Sequence, residues 1–169
     1  MEPTKNTNNI FDRTLLKQKR DRVSTSFSDY SFLINEVGDR LFDRLNDVNR
    51  GFKNILNLGA REGFLSQSIA STQKGSFLIS TELSEKFSNF WKGLGIICDE
   101  EYLPFKPKAF DLVISNLNLH WVNDLPGALI QINTTLKPDG LFLATMFGGD
   151  TLIELRNSLI EAEIKIEGG

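Results

Sequence analysis

The sequence predicts an α/β fold in which parallel strands are covered by helices on both faces. Two observations carry this reading. Short apolar runs of strand length alternate with stretches whose apolar residues recur at helical spacing. The runs are also apolar on both faces, as in strands covered above and below.

The elements follow in chain order. Residues 1–9 are polar and are expected to form a disordered tail. "IFDRTLLKQKRDR" reads as a short basic helix, its "KQKR" run a solvated face. Ser28 is the expected N-cap of the next helix, in which Phe32, Leu33, Val37, Leu41, Phe42, Leu45 and Val48 form one apolar face ending near Gly51. Together these make an N-terminal helical segment, 10–51, ahead of a domain spanning 52–169. "NILNLG" is the first strand, followed by a helix from Gly63 to about Ala70. "SFLIST" is the second strand, and "SEKFSNFWKGL" a helix opening at Ser84. "GIICDE" is the third strand. The turn-forming "YLPFKPKA" leads to the fourth, "FDLVISN", at whose start Asp111 ties down a loop. "LPGALIQINTTL" is a helix, "KPDG" a type I turn, and "LFLATMF" the fifth strand. "TLIELRNSLIEAEIKI" is a final helix with Thr151 and Glu154 in capping-box spacing.

Composition narrows the function. A chain of 169 residues is enough for one domain with a real core. A net charge of -3 gives no electrostatic basis for nucleic-acid binding. One cysteine, Cys98, excludes an internal disulfide framework, and one histidine makes a structural zinc site improbable, so no metal is expected. Cys98 lies within an apolar strand and reads as core. No apolar stretch has the length of a membrane span, and the first ten residues carry no signal or transit pattern. A bacterial cytoplasm is the expected setting.

Ligands of parallel sheets sit at the C-terminal strand edge, so the residues after each strand are the candidates. The first strand is followed by Gly59, Ala60, Arg61, Glu62 and Gly63. Glu82 ends the second, about twenty residues on, the spacing of an acid that holds ribose hydroxyls. Asp99, Glu100 and Glu101 follow the third. Ser115, Asn116, His120 and Trp121 follow the fourth. A glycine turn and two carboxylates suit a nucleoside better than a phosphate-rich ligand, and a P-loop is excluded. Plainer readings stand beside these. The glycines could serve only the turn, Glu82 and Asp99 could be solvated acids, and His120 could simply pack against Trp121.

The order of glycine loop, Glu82 and Asp99, followed by "FDLVISNLNLHWVNDLPGAL" and "LKPDGLFLATMFGGDTLIELR", resembles class I S-adenosylmethionine-dependent methyltransferases. Within these, "NIFDR", "DEEYLPF", "LHWVNDLP" and "MFGGDTLIELR" resemble the mitochondrial and alphaproteobacterial complex I assembly factors, a family associated with arginine hydroxylation. The carrier-protein methyltransferase of biotin synthesis is related to them. The resemblance covers nearly the whole chain after residue 8. It implies a Rossmann-like sheet and S-adenosyl-L-methionine as cofactor. By it, Gly59, Ala60 and Gly63 would approach the methionine portion, Glu82 the ribose, and Asp99 the adenine amine. Ser115 would stand beside them, and Asn116 and His120, the candidate catalytic residues, would border the methyl-transfer region.

Two residues depart from the family's loop. Asn57 stands at its acidic lead position, and Arg61 at its middle glycine, adding a cation where the cofactor is itself cationic. Three functions therefore stay open: a methyltransferase, an assembly factor hydroxylating an arginine of a complex I subunit or another protein substrate, and a non-catalytic truncated form. The resemblance implies a seven-stranded sheet. The sequence ends after the helix that follows the fifth strand, so the final β-hairpin is expected to be missing. "LFLATMF" is then an edge through which the chain is expected to self-associate.

Overall fold

The computed structural model describes residues 9–167. The expected tail therefore lies, up to residue 8, outside the described residues. Five parallel strands form one sheet in the order β3-β2-β1-β4-β5. They are β1 (Asn54–Leu58), β2 (Phe77–Glu82), β3 (Leu94–Ile97), β4 (Phe110–Asn116) and β5 (Leu136–Thr145). The helices are α1 (Arg13–Val23), α2 (Phe32–Asn46), α3 (Phe64–Thr72), α4 (Leu125–Thr135) and α5 (Ile153–Glu167). This is the α/β arrangement that the alternating pattern implied and the Rossmann-like sheet that the resemblance implied.

Strand alternation divides the core between two faces. Ile55, Leu112 and Ile114 face α2 and α3 and pack with Leu41, Leu45, Leu65 and Ile69. Leu56, Leu58 and Val113 point the other way and pack with Ile132 of α4, Leu119 and Phe110. The strand order reverses between β1 and β4, which opens the crevice of a doubly wound sheet at their C-terminal ends.

Four local expectations are corrected. The helix expected over "SEKFSNFWKGL" is only a 3-10 turn, Lys86–Phe90. Ser84, Ser88, Asn89 and Gly93 are poor helix formers. Phe87 instead turns inward and meets Phe27 edge-on at 5.0 Å. With no full helix above it, β3 is exposed along its length, so cover on both faces holds for β1 and β4 but not for β3.

"KPDG" is a bulge rather than a turn ahead of the fifth strand. Phe110 pairs with Leu136 and Leu112 with Leu141, so residues 137–140 stand opposite Asp111 alone. Asp139 takes a positive φ of 61° there, and Lys137 Nζ reaches both oxygens of Asp111 at 3.0 Å. Asp111 also accepts from the Asn54 amide at 2.8 Å, tying β1, β4 and the bulge together.

Helix starts differ as well. Ser31, not Ser28, is the N-cap residue of α2, because a 3-10 turn over Ser24–Asp29 takes up the earlier residues. The last helix begins at Ile153, so Thr151 belongs to the preceding turn and makes no capping box with Glu154. Among the described residues no helix is long and apolar enough to cross a membrane.

Candidate functional site

The loop after β1 turns on three left-handed residues: Gly59 at φ 70°, Arg61 at 49° and Gly63 at 88°. Glycine is required at the first, where a Cβ would stand 2.1 Å from the Asn118 side chain. Ala60 ties the loop to β2 through its amide, 2.8 Å from the Thr81 carbonyl. Arg61 reaches the same backbone region without glycine's freedom, and its side chain shows why. It is buried, its Nη1 lies 2.9 Å from Glu82 Oε2, and its backbone N–H donates to the same oxygen at 3.2 Å.

Glu82 is wholly buried, so the reading of a solvated acid is set aside for it. Five groups donate to its two oxygens: Arg20 Nη1 at 2.5 Å, Arg61 Nη1, and the amides of Arg61, Leu83 and Ser84. Burial alone would raise its pKa. The cations of Arg61 and Arg20 outweigh that and hold it down at about 2. Burial in turn lowers the pKa of Arg61 against the attraction of Glu82.

Asn118 carries the network onward. Its Oδ1 accepts from Arg20 at 2.9 Å and from Arg61 at 3.2 Å, and its Nδ2 donates to Glu100 at 2.7 Å. Glu100 is paired with Arg13, which also donates to Asp99 at 2.7 and 3.0 Å. Arg13, Arg20 and Arg61 thus balance Glu82, Asp99 and Glu100 charge for charge. A buried ion pair holds only where partners satisfy both sides, and here each carboxylate has its arginine.

The structure brings together Gly59, Ala60, Arg61, Glu82 and, through Arg13, Asp99. Gly63 instead caps α3, where its Cα faces Trp91. Ser115 is buried and donates to the Leu58 carbonyl at 3.2 Å. Asn116 is committed on both sides, donating to the Ile34 carbonyl at 2.8 Å and accepting from Thr145 Oγ1 at 2.7 Å. His120 stacks near Trp121 and Phe147, with ring centroids 5.4 and 4.7 Å away. Its Nδ1 is buried with no partner among the described residues. Burial, and then the charges of Arg61 and Arg20, lower its pKa. Asn57 donates to Ser66 at 2.8 Å and so pins the start of α3 to β1. Cys98 is half-buried, and burial followed by Glu100 pushes its thiol up to about 12.

Little space remains beside the glycine loop. The cavity lined by Gly59, Ala60, Arg61, Asn57 and Asn116 measures about 20 Å³, room for a single water. A larger recess of about 300 Å³ lies elsewhere, between α3 and the exposed faces of β2 and β3.

Sequence reasoning missed Arg13, Arg20 and Asn118, and it placed Glu100 at a strand end without giving it a role. The arginine at the end of "KQKR" is 5 % exposed, so the solvated-face reading fails for it. A signal was present: Arg13, Leu16 and Arg20 are spaced to share one helix face, so two arginines stand on the side that a leucine turns inward. Asn118 carried no comparable signal, because its place in the network depends on the arginines of α1.

A protein-family profile described as a methyltransferase domain matches residues 56–144. The chain is 43% identical over 167 residues to the human "Arginine-hydroxylase NDUFAF5, mitochondrial", covering 95% of this chain and 48% of that protein. It is 31% identical to the malonyl-[acyl-carrier protein] O-methyltransferase of Xylella fastidiosa, over 92% of this chain and 56% of that one. The chain thus spans about half the length of the curated relatives it matches. A solved structure of a putative S-adenosyl-L-methionine-dependent methyltransferase from Methanococcus maripaludis superposes with a TM-score of 0.60 at 19% identity. That match covers 98% of this chain and 75% of the other, and it speaks for the fold alone.

Proposed function

Because the chain belongs to the class I S-adenosylmethionine-dependent methyltransferase family, we propose that its ligand position is the crevice over β1, β2 and β4 and that its ligand is S-adenosyl-L-methionine, held weakly. The residue types are right for a nucleoside: a glycine turn and acids at the ends of β2 and β3. In the described arrangement they do not fit one. Both Glu82 oxygens are taken by the chain's own donors, and the cavity beside the glycine loop holds about 20 Å³ where small-molecule sites have roughly 300–1,000 Å³. The observation that carries the reading is the saturated Glu82 carboxylate in a family fold.

Calorimetric titration with S-adenosylmethionine and S-adenosylhomocysteine tests it. The expected Kd is near millimolar, about 4 kcal/mol of binding free energy. A low-micromolar Kd for the chain as it stands would overturn the proposal.

A second reading is supported by the 43% identity to a protein named as an arginine-hydroxylase. In it the chain is part of a protein-modifying assembly factor, with a respiratory complex I subunit as partner, in a bacterial cytoplasm. Mass spectrometry of that subunit separates the readings, since methyl transfer and hydroxylation add different masses to the modified residue. The exposed edge of β5 supports a further proposal, self-association of this chain through that strand.

A further inference from the structure

The closed crevice has a specific cause. Helix α1 lies across it and is fastened at both ends. At its start, Phe11 and Asn123 exchange hydrogen bonds at 2.8 and 3.0 Å, and Phe11 meets Trp121 edge-on at 5.5 Å. Asp12 caps the helix by accepting from the Leu15 amide at 2.9 Å, which fixes where Arg13 points. Arg13 then grips Asp99, Glu100 and the Trp121 carbonyl. Two turns later Arg20 reaches Glu82 and Asn118, and Asp21 accepts from Ser84 Oγ at 2.5 Å.

We infer that α1 is a displaceable internal occupant of the nucleoside position, its Arg13 and Arg20 guanidiniums filling the acceptor sites on Asp99, Glu100 and Glu82 that a nucleoside's hydroxyls and amine would otherwise fill. The inference rests on the ligand proposed above and adds how that site is regulated. A guanidinium and a nucleoside present the same kind of group to a carboxylate, an N–H or O–H donor. The two are mutually exclusive on Glu82, whose oxygens already accept five donors. Binding must break the Arg20 contact.

The helix is built to leave. Its single buried residue is Arg20, and no α1 residue belongs to either core cluster. Leu15 and Val23 stay substantially exposed. Its hold is therefore polar and charged, and both arginines recover hydration on release. Departure removes two cations from a balanced set of six, leaving the crevice net negative with Arg61 still on Glu82. That charge favours a cationic, phosphate-free nucleoside over a phosphorylated one.

The test uses the full chain and S-adenosylhomocysteine as probe, with the double variant Arg13→Gln/Arg20→Gln keeping neutral donors at both positions. The double variant is expected to bind at least tenfold more tightly than the parent. In the parent, near-saturating probe is expected to speed hydrogen exchange of the α1 amides while slowing those of 59–63 and 82–84. A double variant that is folded by circular dichroism and binds no tighter overturns the inference. So does a parent that binds with α1 as protected as before, a readout that does not depend on any variant folding. Adding Arg61→Gly separates the two failures. If that triple variant also fails to bind, the proposed ligand falls with the inference. If it binds where the double variant does not, the ligand stands and Arg61, not α1, closes the site.

Discussion

Arg61 shows how one residue can oppose two requirements. A left-handed backbone at a non-glycine residue costs about 1–2 kcal/mol, yet its side chain is half of a buried pair with Glu82 at 2.9 Å. Removing one partner of such a pair is costly, roughly 3–5 kcal/mol. Arg61→Gly relieves the backbone and loses the pair, so a net destabilisation of about 2 kcal/mol is expected by denaturant titration. The same change opens the loop and removes a cation from beside a cationic ligand, which should strengthen S-adenosylmethionine binding about tenfold. Equal affinity in parent and variant would mean that Arg61 does not obstruct the site. The pH dependence follows from Glu82. Its folded pKa of about 2 lies below its ordinary 4.5, so its stabilisation is present above about 4.5 and is lost as pH falls towards 2. The melting temperature should decline through that window. Glu82→Gln should lower stability at neutral pH, where two arginines lose their carboxylate, and should flatten the acid decline. An unchanged decline in the variant would assign acid sensitivity to other carboxylates.

At the level of elements, what could be read from the sequence depended on whether a segment's own chemistry decided its structure. Strands β1 and β4 were legible because Ile55, Leu56, Leu112 and Val113 alternate between two real cores. The segment after β2 was not, because Phe87 follows Phe27 of a distant turn rather than a helical repeat. "KPDG" carried a true turn signal, but the pairing of Leu136 with Phe110 absorbed it as a bulge. Glu82 and Asp99 were legible as strand-end acids, whereas Arg20 and Arg13 showed only a helix face shared with Leu16, which does not announce the acids it covers. Asp111 is the tie that makes the bulge hold, accepting from Lys137 and the Asn54 amide. Lys137 lowers the Asp111 pKa through its hydrogen bond, against the opposing effect of burial. Asp111→Ala should cost about 1–2 kcal/mol, less than a fully buried charged bond because the pair is partly solvated. A melting temperature unchanged in Asp111→Ala would show that the bulge is held by backbone pairing alone.

On the scale of the whole molecule, the sheet is unevenly protected. Among the described residues β5 pairs only with β4, leaving its other edge free. A groove of about 670 Å³ runs between that edge and α2, lined by Leu41, Leu143 and Phe147. Helix α5, which follows β5 in the chain, exposes Leu155, Leu159, Ile160 and Ile164. Free strand edges flanked by apolar surface pair with other chains unless charge prevents it. Sedimentation velocity should therefore show concentration-dependent dimers or larger species, and Ala144→Lys, at an exposed β5 position, should shift the population to monomer. A parent that stays monomeric at high concentration would remove self-association through this strand.

The claim that the strand-end carboxylates are neutralised from within is tested most directly by carbon-detected NMR titration of the Glu82 carboxyl in the parent chain. The expected midpoint is about 2, moving up in Arg20→Gln as one of its two cations is removed. A parent midpoint at or above 4.5, insensitive to Arg20→Gln, would contradict it.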